Sequence, residues 1–453
     1  MKHFDVIIIG GGPSGIVVGA TSKSHYREKS FLMIKEEEKG LVPCGIPYIF
    51  HFLGNIDKNQ MNPKPFVNAG GEVLIDTVTD VNLEEKTLTT KKGEKFNYDK
   101  LIFATGSTPI VPKFIKGYDL ENVLYIKKSY NYMKSVKEKT DAAKNIVIIG
   151  GGFIGVEVAE QLAANPEKNV YIVEREKHCL YRAFSADICE RAEEVIEKTN
   201  INLITNASVE EIIGENGKVS GVKLSNGKII SADLVILSIG YKPNTELAKR
   251  AGLDITSRGA IRVDNYQRTA LKDVYAIGDC SQKTGFITGR TDNIMLASTA
   301  TAEARILAYN LYKIKLKRNH AGTLSVFSTE INGRAFASAG AIEQSAKEAN
   351  VEFVIGQFED MDRHPGDLPD ASKLFIKLIV SPGDGSIIGG EMYGGKSTGE
   401  LINVVALAIQ KNVTVFELVS YQVGTHPLLT TAPTKYILIK AAEDAIKKIY
   451  SAS

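Results

Sequence analysis

Two features of this chain could do chemistry: glycines spaced to receive phosphates, and a cysteine set among residues that would activate it. Gly10, Gly12 and Gly15 form GxGxxG directly after the apolar run Phe4-Asp5-Val6-Ile7-Ile8-Ile9. Gly150, Gly152 and Gly155 repeat the pattern after Asn145-Ile146-Val147-Ile148-Ile149. Pro13 and Ser14 complete the first loop, Phe153 and Ile154 the second. In such a loop the first glycine makes the turn, the second lets the backbone approach a pyrophosphate, and the third lets helix and strand pack closely. The following helix offers free N–H groups and a partial positive charge to the phosphates. The fingerprint also needs an acid about 20 residues on, for a ribose hydroxyl. Glu174 stands 24 residues after Gly150, at the end of Val170-Tyr171-Ile172-Val173. A carboxylate there repels a 2′-phosphate and favours NADH. Arg175 beside it softens that preference and leaves NADPH open. In the first copy, Phe31-Leu32-Met33-Ile34 runs into Lys35-Glu36-Glu37-Glu38, and Glu36 is the expected ribose ligand. The alternative there is a solvated acidic turn.

Cys44 lies in Pro43-Cys44-Gly45-Ile46-Pro47-Tyr48, ahead of an apolar segment to Phe52 that reads as helix, with Pro47 in its first turn. A thiol at a helix N-terminus meets the positive end of the dipole, so a lowered pKa is expected. A single cysteine cannot close an internal disulfide. It can form a mixed disulfide, a persulfide or a sulfenic acid. The competing reading is a buried, inert thiol. Cys179, Cys189 and Cys280 are read that way, on helices or against the Gly278-Asp279 turn.

These residues need rigid elements to hold them. Each glycine loop joins a β-branched apolar strand to a helical segment, and such strands belong to parallel sheets covered on both faces. The fold class expected is α/β, with two doubly wound, Rossmann-like dinucleotide-binding domains. Leu234–Leu237 and Val274–Ile277 read as further buried strands, and Ile294–Tyr312 as a helix. Beyond about residue 321 the pattern changes. Strand Leu374–Val380 and helix Gly399–Gln410 mark a separate α+β domain. Lys313–Asn319 reads either as a linker or as a solvated helix end.

Composition narrows the classes. The 453 residues allow two to four domains. The net charge is +2, with Lys and Arg scattered, so no nucleic-acid partner is expected. No apolar run reaches about 18 residues, so no membrane partner is expected either. Four cysteines are too few and too dispersed for a disulfide scaffold. With no signal-peptide pattern at the N-terminus, a cytoplasmic location is expected. No metal centre is expected.

The chain resembles the FAD-dependent pyridine nucleotide-disulfide oxidoreductases over essentially its whole length. The carrying segments come in the family's order: Gly10–Gly15, Ala104-Thr105-Gly106-Ser107-Thr108-Pro109, Gly150–Gly155, Gly240-Tyr241-Lys242-Pro243-Asn244, and Tyr275-Ala276-Ile277-Gly278-Asp279. The resemblance implies FAD on Gly10–Gly15, with Asp279 on its ribityl chain and Glu36, Pro43, Ala104, Thr105, Gly106 and Gly278 nearby. It implies NADH on Gly150–Gly155 with Glu174 and Gly240. It further implies an FAD domain over 1–115 and 245–320, a nicotinamide domain over 116–244, and a dimerisation domain over 321–453 that makes a homodimer.

The dithiol members carry CxxxxC, but position 49 is Ile here. The CGxPY pattern is similar to the single-cysteine subgroup: coenzyme A-disulfide reductases, NAD(P)H sulfur or persulfide reductases, and related NADH oxidases and peroxidases. The coenzyme A-disulfide members have Ser and Asn before the cysteine and tyrosines in a YYPG-like segment. This chain has Gly40-Leu41-Val42-Pro43 and Asp362-Arg363-His364-Pro365-Gly366. A small or sulfur-rich acceptor is therefore expected, reduced through Cys44; oxygen or peroxide through a sulfenic acid is the alternative. His426, in Gly424-Thr425-His426-Pro427, matches the family's acid–base histidine that reaches the partner subunit. The family's dyad glutamate is Thr431 here, and a purely structural loop histidine is the competing reading.

Overall fold

The computed structural model describes residues 1–318 and 322–452, the last without its side chain. Strand Lys2–Ile9 lies at the centre of the first sheet. It pairs in parallel with Phe31–Lys35 on one side and Lys95–Phe103 on the other. Glu72–Ile75 extends the sheet beyond Phe31–Lys35. Val274–Ala276, far along the chain, pairs in parallel with Lys95–Phe103. An antiparallel pair, Val78–Asn82 and Thr87–Thr90, completes it. Ile7 and Ile8 have no exposed surface, as expected of a strand covered on both faces.

The second sheet is wholly parallel, in the order Val123–Tyr125, Leu234–Leu237, Asn145–Ile149, Asn169–Val173, Ile201–Ile204. The β-rich stretch after residue 201 adds an antiparallel trio, Val209–Glu215, Lys218–Leu224 and Ile229–Ser231. The third sheet is antiparallel, in the order Val326–Ile331, Arg334–Gly340, Ile387–Gly394, Lys373–Val380, Val354–Met361. Helices Thr398–Gln410 and Ile437–Ala452 pack on it. The α/β class, two Rossmann-like sheets and a distinct C-terminal α+β unit agree with the sequence reading.

Three expectations need correction. Ile46–Phe52 is not an α-helix: 3₁₀ turns at Pro43–Gly45 and Pro47–Phe50 take its place. Pro47 suits a helix start, but a seven-residue segment is too short to hold an α-helix by its own hydrogen bonds, so packing sets its form. Cys179 sits in a turn rather than a helix. The helix expected from Ile294 begins at Ala297. Residues 313–318 form neither helix nor strand, as a linker would; Asn319 lies outside the described residues.

Candidate active site

Both glycine loops fit a dinucleotide. Gly10 and Gly150 have φ of +116° and +109°, a region that side chains disfavour. A Cβ on Gly10 would strike the Ala104 carbonyl oxygen, and one on Gly150 the Ser238 carbonyl oxygen. Gly15 and Gly155 press their helices onto the Gly10 and Gly150 carbonyls. A Cβ on Gly12 or Gly152 would meet nothing within 4 Å, so the space a pyrophosphate needs is open. Helices Pro13–His25 and Phe153–Ala163 start there without any side-chain cap, leaving amides for phosphate oxygens. Ser14 is buried, and its hydroxyl lies where a Cβ on Gly278 would point, so the first loop and the Gly278-Asp279 turn adjoin. In the second loop the Phe153 ring stacks on Phe327, centroids 5.2 Å apart; beside it, Ile154 packs on the same core.

The ribose acids differ between the two copies. Glu174 is buried and already accepts from Gly151 N at 2.6 Å and Glu176 N at 2.9 Å. Arg175 is turned onto Glu176, Nε to Oε1 3.0 Å. In the first copy, Ile9 pairs with Ile34 as Ile149 pairs with Val173, so Lys35 is the counterpart of Glu174. Lys35 is buried beside Gly11 and donates to the Glu38 carbonyl at 3.0 Å. Glu36 follows it and is exposed. Glu37 instead binds the start of helix Tyr130–Ala142, accepting from Ser129 Oγ and from Tyr130 N at 2.7 Å.

Where the chain leaves and re-enters the first unit, two segments run together. Ser107–Pro109 pairs with Tyr241–Pro243, and Thr105 Oγ1 donates to the Asn244 carbonyl at 2.6 Å. Asn244 N donates to the Gly106 carbonyl, and Ile110 N to the Gly240 carbonyl. Asp279 emerges here, its carboxylate accepting from Ser107 Oγ at 2.8 Å and from Lys128 Nζ at 2.5 Å. Burial opposes its ionisation, but Lys128, Ser107 and Lys283 overcome that and hold its carboxyl below the usual range. Behind it, the buried pair Lys283–Glu303 grips Gly278. Glu303 accepts from Gly278 N at 2.8 Å, and Lys283 donates to its carbonyl at 2.6 Å.

Cys44 is the exposed cysteine; Cys179, Cys189 and Cys280 are fully buried free thiols. The apolar side chains after Cys44, Ile46, Ile49 and Phe50, belong to one core with Val156 and Leu162 of helix Phe153–Ala163. That packing seats the cysteine against the nicotinamide-side helix. The lowered pKa expected of Cys44 is not found. Partial burial and the Glu157 charge push the thiol up and Lys128 pulls it down, and Cys44 sits inside a three-residue 3₁₀ turn rather than at the start of an α-helix. Glu157, two residues past Gly155, accepts from Thr329 Oγ1 at 2.9 Å. Burial, helped by Glu160, raises its carboxyl to about 7 against the Thr329 bond. A glutamate directly after the apolar first turn Phe153-Ile154-Gly155-Val156 was the signal in sequence; Lys128 offered none.

His426 does not meet Cys44 within one chain. It lies exposed in the loop after Leu418, its Nδ1 accepting from Leu428 N at 3.2 Å. The Asp362–Gly366 loop is tied to it: His364 N donates to the Pro427 carbonyl, and His364 Nδ1 lies 3.0 Å from the Thr430 carbonyl oxygen. Among the described residues no cluster of three His, Cys, Asp or Glu could hold a metal.

The family model for pyridine nucleotide-disulphide oxidoreductases matches residues 4–304, and that for their dimerisation domain matches 331–436. The chain belongs to the pyridine nucleotide-disulphide oxidoreductase family. It is an NAD(P)H-dependent flavoprotein oxidoreductase, and the two glycine loops suit FAD and a nicotinamide dinucleotide. Relatives include a protein named NADH oxidase from Methanocaldococcus jannaschii, 29% identical, covering 98% of this chain and 99% of the relative. Another is named NAD(P)H coenzyme A polysulfide/persulfide reductase, from Pyrococcus horikoshii, 30% identical over 86% of this chain and 87% of the relative. Among solved structures, an NAD-dependent persulfide reductase from A. fulgidus superposes with a TM-score of 0.90 at 28% identity, over 98% of this chain and 84% of that one.

Proposed function

We propose that this oxidoreductase takes electrons from NADH and delivers them through Cys44 to a disulfide, persulfide or polysulfide acceptor. The carrying observation is that Cys44 is exposed at the junction of the two dinucleotide units, while Ile49, where dithiol members place a second cysteine, is fully buried. FAD, when bound, supplies hydride acceptance from the nicotinamide and two-electron delivery to sulfur. The protein's own parts in that scheme are distinct. Gly10, Gly12, Pro13, Ser14 and Gly15 hold the flavin pyrophosphate, with Glu36 at the ribose edge beside Lys35 and Asp279 on the ribityl side. Pro43, Ala104, Thr105, Gly106 and Gly278 shape the same site. Gly150, Gly152, Phe153, Ile154, Gly155, Glu174 and Gly240 hold the nicotinamide dinucleotide. Cys44 thiolate attacks the acceptor's S–S bond, forms a mixed disulfide and releases a thiolate or a shortened polysulfide; two-electron reduction then cleaves the new S–S bond, restoring the Cys44 thiolate and releasing the bound half as a second thiolate or as sulfide. We further assign residues 1–115 with 245–320 to the FAD domain, 116–244 to the nicotinamide domain and 321–453 to dimerisation. A homodimer is supported by the dimerisation-domain match and by exposed Leu407, Tyr421, Leu428 and Leu429 on that unit. In it, His426 would reach the partner's site and protonate the leaving sulfur. We also propose a cytoplasmic location. No described helix is long and apolar enough to cross a membrane.

Cys44→Ser is the test. Anaerobic stopped flow should show flavin reduction by NADH at near wild-type rate, with polysulfide turnover down at least about 100-fold. Retained polysulfide turnover overturns the proposal. The second reading, oxygen or peroxide reduction through a Cys44 sulfenic acid, is supported by relatives named NADH oxidase. Fast aerobic NADH consumption without a sulfur acceptor, with dimedone capture at Cys44, would select it.

A further inference from the structure

The strands beside the two glycine loops end in opposite charges. Gly10 N donates to the Ile34 carbonyl and Gly150 N to the Val173 carbonyl, both at 2.9 Å, so Lys35 and Glu174 follow at equivalent places. Their side chains take the same course across the second residue of each loop. A Cβ on Gly11 would lie 2.9 Å from Lys35 Cβ and Cδ, and one on Gly151 3.2 Å from Glu174 Cβ. Both residues are more than nine-tenths buried, Lys35 at 6% exposed and Glu174 at 8%. From that place an acid accepts hydrogen bonds from an adenosine ribose, whereas a cation there takes a ribose 2′-phosphate. Lys35 has capacity left for a ligand. Among the described residues its ammonium makes one hydrogen bond, to the Glu38 carbonyl at 3.0 Å, and no ion pair. An ammonium carries three donors, so two remain. The neighbouring carboxylates do not claim them. Glu37 is committed to Ser129 Oγ and Tyr130 N, and Glu36 and Glu38 are exposed.

We propose that Lys35 sets the ribose specificity of the first dinucleotide site: it donates to the ribose oxygens of a bound adenosine and admits a 2′-phosphate there, which Glu174 repels from the second site. This rests on reading the first loop as the FAD site. FAD carries no 2′-phosphate, but its pyrophosphate is anionic. A cation beside the ribose adds to the attraction of the helix Pro13–His25 N-terminus for that pyrophosphate, where a carboxylate would oppose it. The two loops, alike in backbone, are thereby sorted by one side chain each. The consequence is that adenine nucleotides with a 2′-phosphate compete with flavin at the first loop and are turned away by the second.

The experiment dilutes the full-length holoenzyme into adenosine 2′,5′-bisphosphate or adenosine 5′-monophosphate and follows released flavin by its fluorescence. Nucleotide taken up by the second loop releases no flavin, so the signal reports the first loop alone. In wild type the bisphosphate should release half of the flavin at a concentration about 3- to 10-fold lower than the monophosphate does. Lys35→Arg keeps the charge and should keep that order. Lys35→Gln keeps a donor for the Glu38 carbonyl without the charge, so it preserves the turn, and should bring the two concentrations within about twofold of each other. Lys35→Glu should reverse their order. A residue that merely latched the turn would shift both concentrations together and leave their ratio alone. Equal release by the two nucleotides from wild type, or release by neither, overturns the proposal, as does a Gln variant that keeps the wild-type ratio. Failure of the FAD reading would show elsewhere, as flavin retained by Gly15→Ala.

Discussion

Opposing fields meet at Cys44, and one of them changes with pH. The Glu157 carboxyl, raised by burial to about 7, is protonated in the folded protein across the window from its ordinary 4.5 up to that value. Below about pH 7 it withholds negative charge from the sulfur; above, it adds it. Glu157→Gln, permanently neutral, should therefore alkylate Cys44 faster than wild type above pH 7 and equally below, and should lose an inflection near 7 in sulfur-acceptor turnover. The stability sign follows from the same shift. Folded Glu157 binds a proton that the unfolded chain releases between 4.5 and 7, so wild type loses stability relative to Glu157→Gln as pH rises through that range. Urea titrations at pH 5 and pH 8 would show it; a difference that does not grow with pH contradicts the assignment. Cys44 could be picked out as the candidate redox cysteine from its neighbours in sequence. The direction of its pKa could not, because Glu157, Lys128 and Asp279 lie far from it along the chain.

At the scale of elements, the glycine loops are the firmest part of the molecule's logic. Each packs a helix onto the carbonyl of the loop's first glycine, so a methyl group at the third glycine has nowhere to go. Gly15→Ala should purify with little flavin, read by visible absorbance. Gly155→Ala should keep flavin but weaken NADH binding about tenfold or more, since overpacking must displace backbone. If Gly155→Ala instead lost flavin and kept NADH affinity, the assignment of the two loops would be exchanged. Both loops, their strands and their helices could be read from spacing alone. The segment after Cys44 could not. Its apolar residues serve the core shared with helix Phe153–Ala163, and short 3₁₀ turns satisfy that packing as well as a helix would.

Across the whole molecule, the nicotinamide-side unit is fastened to the C-terminal sheet through a buried charge cluster. Lys377, 2% exposed at its side chain, lies 2.6 Å from Asp187, 2.8 Å from Glu343 and 3.8 Å from Glu391. Ser185, at the start of helix Ala186–Ile196, donates to Glu391 through its amide and its hydroxyl. Lys377→Met would strand Glu391, which is wholly buried. The expected cost is about 3–5 kcal/mol, measured by chemical denaturation of the holoenzyme. A change under about 1 kcal/mol would mean that Glu391 is held neutral and Lys377 is dispensable. Replacing exposed Leu428 and Leu429 with Asp should shift the protein to monomer in light scattering and, under the proposed role of His426 at the partner's site, lower the proposed sulfur turnover.

By itself the sequence determined two dinucleotide loops, their flanking elements, one candidate redox cysteine and the family. Those are local patterns: a backbone turn, a helix start and a periodic apolar face are each written in a few adjacent residues. Tertiary structure decided what surrounds the chemistry. It put Lys35 where the first loop's ribose acid was expected and set Glu36 one residue outward, because strand register, not proximity in sequence, defines that place. It brought Lys128 to Asp279 and set Glu157 where its charge acts on the Cys44 thiol, relations between distant segments that no local pattern encodes. Whether a thiol ionises depends on the charges and burial around it, and those exist only once the chain has folded.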